Sequence, residues 1–220
     1  MTINYKEIQT NEEILALIRK GNANLMILGY TDHSQAHSGL VASRAATILA
    51  QLGYSEQEQE LARIAGFMHD IGNAVNRKNH AEYGGILADS ILQKLSCPLE
   101  DRITIMSAIA HHDESTGGAT DVVSAALIIA DKTDVRRNRV CTTDKTAFDI
   151  HDRVNYAVTG NTLNIDSDAK KITLELEIDE EFCTMYEYFD IFLQRMLMSR
   201  SAAELLGMKF RLVVNGNKVL

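Results

Sequence analysis

The sequence predicts a mainly α chain: a helical bundle over residues 1–145, then a small α+β unit over 146–220. Three observations lead to this. Apolar residues recur at three- and four-residue spacing behind helix-capping sequences through the first two thirds. Strict alternation of apolar and polar residues appears only beyond residue 160. Between the two, near residue 140, a nearly continuous apolar run gives way to polar, loop-like sequence.

Thr10-Asn11-Glu12-Glu13 is a capping box opening a helix that carries Ile14, Leu15, Leu17 and Ile18. Gly21 to Asn24 is expected to interrupt it before Leu25 to Leu28 resumes the pattern. A second helix is expected from Asp32, as a cap, to Leu52, because Leu40, Val41, Ala45, Ile48, Leu49 and Leu52 share a face and Gly53 is a natural stop. His37 and, one turn earlier, His33 lie on that inward face. Ser55-Glu56-Gln57-Glu58 is a further capping box, leading into Leu61, Ile64, Ala65 and Met68. His69 follows Ala65 by four residues and so points inward, with Asp70 beside it and Gly72 free to let the backbone turn.

His80 begins the next helix. Its Gly84-Gly85 pair costs roughly 1 kcal/mol per glycine relative to alanine, so a close helix contact or a nearby ligand is expected there. After Pro98, Leu99 to His112 reads as a helix ending in His111-His112-Asp113, with Gly117-Gly118 in the following loop. Asp121 to about Arg139 reads as another, apolar nearly all round from Val122 to Ala130, as a central buried helix is. Asp131 ends that run, and a carboxylate there is costly unless solvated, paired or bound to a metal.

In the last third, Thr142 to Asp144 reads as a loop and Phe148 to Val158 as a short helix. Leu163 and Ile165, then Ile172, Leu174, Leu176 and Ile178, alternate with polar residues around a turn at Ser167-Asp168-Ala169-Lys170. A long helix from about Glu180 to Leu206 and a strand through Phe210, Leu212 and Val214 follow, with Asn215-Gly216-Asn217 as a turn.

Apolar content of 45% over 220 residues is enough to bury a real core. A net charge of −8 argues against a protein that grips nucleic-acid backbones. Cys97, Cys141 and Cys183 are widely spaced, with no Cys-x-x-Cys pair, and read as small hydrophobes in a reducing compartment. Met1-Thr2-Ile3-Asn4-Tyr5 has no signal-like character and no run approaches a membrane span, so a cytoplasmic protein without membrane partners is expected.

Six of the seven histidines lie between residues 33 and 112. One inward histidine is usually a hydrogen-bonded core residue. Several on separate helices, together with two aspartates, would each need a buried partner unless a shared metal satisfied them at once.

The order His37, His69-Asp70, His80, His111-His112, Asp131, with the His-Asp-Ile-Gly core and the Ala130-Asp131-Lys132 segment, resembles the HD superfamily of metal-dependent phosphohydrolases over roughly residues 30 to 140. The resemblance implies that His37, His69, Asp70 and Asp131 hold one divalent ion. It implies that His80, His111 and His112 hold a second, with Asp70 bridging. Imidazole and carboxylate ligands suit iron or manganese, with cobalt, nickel, zinc or magnesium as alternatives. Asn73 stands where many members carry a lysine, so substrate binding is expected to be arranged differently here.

The implied reaction is hydrolysis of a phosphate ester or anhydride, in a nucleotide or similar small phosphorylated metabolite, by a water that the ions activate. Lys132 and Arg136, four apart on the expected helix, are candidates to contact phosphate, Lys132 also as a catalytic cation. His33 is a candidate contact to substrate or to a ligand histidine. Two other readings use the same residues: a di-iron oxygenase and a non-catalytic nucleotide-sensing module. The C-terminal unit is a candidate pocket wall, specificity element or homodimer interface.

Overall fold

A computed structural model describes residues 4–142 and 144–219. Met1 to Ile3, Leu220 and, within the expected loop, Thr143 lie outside them. The fold is mainly α, with a small sheet confined to the C-terminal third.

The cap at Ser55 falls where the sequence places it, while those expected at Thr10 and Asp32 fall one and two residues later, at Asn11 and Ser34. Helix α1 (Tyr5–Gln9) precedes α2 (Glu12–Ile27), which Asn11 caps through its side chain. The expected break at Gly21 does not occur. Gly21 sits inside α2, where a Cβ would lie 3.1 Å from that of Asn73, so its smallness serves helix contact rather than a bend. Helix α3 (Gln35–Gln51) starts later than expected because Ser34, not Asp32, is its cap; the Asp32 carboxylate accepts from the Ser34 hydroxyl instead. Helix α4 (Glu56–Met68) opens on the Ser55–Glu58 capping box.

A short 3₁₀ turn (Ile71–Ala74) leads to α5 (His80–Lys94), and α6 (Leu99–Ala110) follows Pro98. Gly72 lies in that turn, and its role is close approach rather than a bend: a Cβ there would run into the His80 carbonyl. Gly84-Gly85 has the same explanation. A Cβ on Gly85 would stand 2.9 Å from the Met106 carbonyl oxygen of α6, and one on Gly84 would stand 3.1 Å from that of His69.

Central helix α7 (Val122–Lys132) is buried along nearly its whole length. It ends seven residues before the expected Arg139. The Asn161 side-chain amide donates to the Thr133 and Val135 carbonyls, which draws the chain off the helical path. Arg136 is consequently extended (φ −151, ψ 144), and it does not share a helix face with Lys132.

Helix α8 (Ile150–Ala157) runs into strand β1 (Val158–Asp166), which pairs antiparallel with β2 (Lys171–Ile178). Helix α9 (Met185–Leu205) starts at the Thr184–Glu187 capping box and connects β2 to β3 (Lys209–Val214) as a parallel neighbour. A two-residue strand β4 (Asn217–Lys218) completes the order β1-β2-β3-β4. Helix α9 packs against α7 as well as β3, so one apolar core runs continuously from Ile8 to Val214. Among the described residues no helix is long and apolar enough to cross a membrane.

Candidate metal centre

Helix ends converge at one point beside α7. His37 is in the first turn of α3, His69 and Asp70 follow α4, His80 opens α5, His112 follows α6 and Asp131 closes α7. All six are buried. Their ligand atoms form three overlapping groups, each within 4.8 Å: His37, His69 and Asp70; His69, His112 and Asp131; Asp70, His80 and His112. Imidazole rings touch edge to face along the cluster, at 5.6 Å for His33–His37, 5.2 Å for His37–His69, 5.0 Å for His69–His112 and 5.1 Å for His80–His112.

The outer nitrogen of each ring is already committed. His37 Nδ1 lies 2.7 Å from Asp134 Oδ2, and His69, His80 and His112 Nδ1 face the carbonyls of Gly66, Arg77 and Ile109 at 2.8, 3.1 and 2.6 Å. An acceptor at Nδ1 fixes the tautomer that leaves the Nε2 lone pair open, as in metal-binding histidines generally. His37 Nε2, His69 Nε2 and Asp70 Oδ2 are buried with no hydrogen-bond partner. Burying such atoms unpaired is costly, and a shared cation satisfies all three. The residues therefore fit divalent ions, and an all-imidazole and carboxylate donor set suits the first-row metals expected.

Asp70 turns its two oxygens different ways. Oδ2 lies 3.1 Å from His69 Nε2 and 3.8 Å from His37 Nε2, while Oδ1 lies 3.6 Å from His80 Nε2 and accepts from Asn73 Nδ2 at 2.8 Å. Asp131 Oδ1 faces His37 and His69 Nε2 at 3.3 and 3.6 Å. Burial is the largest single influence and works to raise both carboxyls, but His69, His33 and His80 around Asp70, and Lys132, His37 and His69 around Asp131, together outweigh it and hold both well below the carboxylate range. Burial pushes His112 down to about 3 and also lowers His80, which keeps these rings neutral and able to ligate.

Three expected site residues stand differently. His111 belongs to none of the three ligand groups; as the residue capping α6 it faces Ser107, while the next position carries His112 inward. Successive side chains at a helix end diverge, so only one of the pair enters the cluster. Lys132 is buried, its Nζ 2.8 Å from Asp131 Oδ2 and 2.6 Å from Glu114 Oε2, so it steadies a cluster carboxylate rather than facing solvent or a free phosphate. Arg136 clamps Asp134 at 2.5 and 3.1 Å and lines a separate cavity with Thr159 and Asn161. The His33 ring abuts His37 and lines a cavity of about 320 Å³ that opens beside the cluster.

Other side chains complete the centre. Asp134 Oδ2, 2.7 Å from His37 Nδ1, orients that ring. Glu114 joins Lys132 to Arg195 of α9 at 3.3 Å, and Arg195 and Phe192 line the same cavity as His33. Nothing local marks Arg195, which reaches the site from 81 residues away.

The HD domain family model matches residues 35–154, a span that takes in all the converged residues. An uncharacterized protein of Methanocaldococcus jannaschii is 26% identical over 203 residues, covering 80% of this chain and 76% of its own. Ribonuclease Y of Thermus thermophilus is 35% identical over 104 residues, or 46% of this chain but 16% of that enzyme; ribonuclease Y of Helicobacter hepaticus is 36% identical over 83 residues, 14% of its length. A solved structure, a predicted HD superfamily hydrolase from an uncultured Thermotogales bacterium, overlays 61% of this chain and 75% of its own at 21% identity and a TM-score of 0.46.

Proposed function

Because the chain belongs to the HD domain family, we propose that it is a metal-dependent phosphohydrolase cleaving a phosphate ester or anhydride of a nucleotide or similar small phosphorylated metabolite. One observation carries this reading: three overlapping ligand groups share Asp70, His69 and His112, with buried and otherwise unpartnered atoms at their centre. Such overlap suits a pair of ions rather than one. His37, His69, Asp70 and Asp131 would hold the first, and Asp70, His80 and His112 the second.

Bound there, divalent ions supply Lewis-acid activation of water and neutralise charge on a phosphoryl group. The remaining tasks fall to the chain itself. Asp134, Gly66, Arg77 and Ile109 hold the ligand imidazoles in the open-Nε2 tautomer. Lys132, fixed by Glu114, restrains Asp131 Oδ2 so that Oδ1 stays turned to the histidines. His33 offers a ring edge to the cavity where substrate would lie, and α9 supports the opposite wall through Phe192 and Arg195. In this reading residues 1–145 carry the reaction and residues 146–220 shape access to it.

The test is metal-stripped protein reconstituted separately with iron and manganese, then assayed on generic phosphomonoesters and phosphodiesters, nucleotides, cyclic dinucleotides and dinucleoside polyphosphates. Hydrolysis that needs the metal and disappears in Asp70→Ala supports the proposal. Protein with verified metal content that turns over none of them, yet consumes oxygen, would give the oxygenase chemistry the site instead.

A further inference from the structure

Cations near the centre are mostly engaged by carboxylates: Lys132 by Asp131 and Glu114, Arg195 by Glu114, Arg136 by Asp134. Arg77 differs. Among the described residues no carboxylate lies within ion-pair distance of its guanidinium. Nη1 instead donates to Asn73 Oδ1 at 3.4 Å and to His80 Nε2 at 3.3 Å, and the guanidinium carbon stands 5.3 Å from the centre of the Tyr30 ring.

Arg77 lines the cavity of about 320 Å³ that holds His33 and Arg195, and also one of about 410 Å³ that holds His80 and Asp113. A further cavity, with Asn24 and Asn73, meets it from the α2 side. It is thus a half-buried cation common to the two openings that flank the histidine cluster.

Its contact with His80 is of a particular kind. The Arg77 carbonyl lies 3.1 Å from His80 Nδ1, so Nε2 carries the lone pair, and the Arg77 guanidinium donates to it. Nε2 is also the nitrogen that lies 3.6 Å from Asp70 Oδ1, in the group of Asp70, His80 and His112. One lone pair serves one electrophile: either the arginine N–H or an ion. A guanidinium that gives up this acceptor has a planar fork of donors suited to two phosphate oxygens at once.

We propose that Arg77 is the phosphate-recognising side chain of this site, and that its guanidinium is freed for that task when His80 Nε2 takes up an ion. This rests on the hydrolase reading above. Metal uptake and anion recognition are then linked at a single arginine, with Tyr30 as the surface against which the guanidinium lies.

The experiment titrates metal-stripped protein with manganese(II) and then, at saturating metal, with inorganic phosphate, by calorimetry. Wild type is compared with Arg77→Met and Arg77→Lys, with Arg77→Gln in reserve should the methionine variant not fold. The expected result has opposite signs. Manganese affinity in Arg77→Met is equal to wild type or raised severalfold, since a competing donor is gone. Phosphate affinity falls by roughly tenfold or more, the scale of a lost charge-assisted pair, and lysine restores part of it. A structural role alone would weaken both affinities together, and that outcome overturns the proposal. So does phosphate binding within twofold of wild type in Arg77→Met, or metal-loaded wild type that binds no phosphate. Wild type that takes up no metal overturns the hydrolase reading, and this inference with it.

Discussion

Replacing Asp134 by asparagine isolates the layer behind the metal centre. Asp134 is fully buried and uses both oxygens. Oδ2 accepts from His37 Nδ1 at 2.7 Å, while Oδ1 takes Arg136 Nε at 2.5 Å. An asparagine has one acceptor and one donor to fill these places. With its oxygen towards His37, its amide N–H₂ meets the Arg136 donor. With its oxygen towards Arg136, the amide donates to His37 Nδ1, forcing the proton to Nε2 and closing the position a metal needs. Loss of such an outer partner typically weakens metal affinity 10–100-fold, or about 1.4–2.8 kcal/mol. Stability also falls, because buried Arg139, 3.7 Å from the same carboxylate, loses its counter-charge. Arg139 keeps hydrogen bonds to the Asp32 and Asp134 carbonyls, so the low end for a broken buried pair applies, about 3 kcal/mol. Calorimetric titration with manganese(II) and urea unfolding measure the two effects. Arg136→Gln is the control: it leaves the His37–Asp134 contact intact and is expected to change metal affinity by less than threefold. If Asp134→Asn folds and binds manganese within twofold of wild type, the tautomer argument is wrong.

Further outcomes are expected elsewhere. Asp70→Ala removes the carboxylate shared by two ligand groups, so metal analysis after dialysis is expected to find the bound metal lost, whereas His111→Ala, outside all three groups, is expected to keep it. Gly85→Ala sets a Cβ 2.9 Å from the Met106 carbonyl oxygen, where α5 and α6 touch, and is expected to cost about 2–3 kcal/mol in urea unfolding; a loss below 0.5 kcal/mol would refute the close-contact account. Burial raises the Cys97 and Cys183 thiols from 9.0 to about 11, which cuts their thiolate fraction at pH 8 roughly a hundredfold. Burial raises the Cys141 thiol too, but its side chain is only half-buried, so it is expected to be alkylated first in the native protein, and the rate for the other two to climb with pH toward 11, unless local opening exposes them.

Most helices were legible because their signals are local. Capping boxes at Ser55–Glu58 and the apolar spacing of α3, α4 and α5 are written within a turn or two of the residues they organise. Where a prediction failed, a distant group had intervened. Asn161 of β1 ends α7 early, and Asn73 explains Gly21 without a bend. In the same way Glu114 and Asp131 claim Lys132, and Asp134 claims Arg136, before either cation can serve a substrate.

By itself, then, the sequence determined which residue types are on offer and at which helix ends they sit: imidazoles at 37, 69, 80, 111 and 112 and carboxylates at 70 and 131. Helical periodicity is a property of neighbours, so it survives in one dimension. Only the tertiary structure decided the choice of His112 over His111, the support of His37 by a residue 97 positions away, and the entry of α9 into the pocket wall. Those follow from how separate helices pack, because the direction of a buried side chain and the identity of its partner are set by the elements pressed against it.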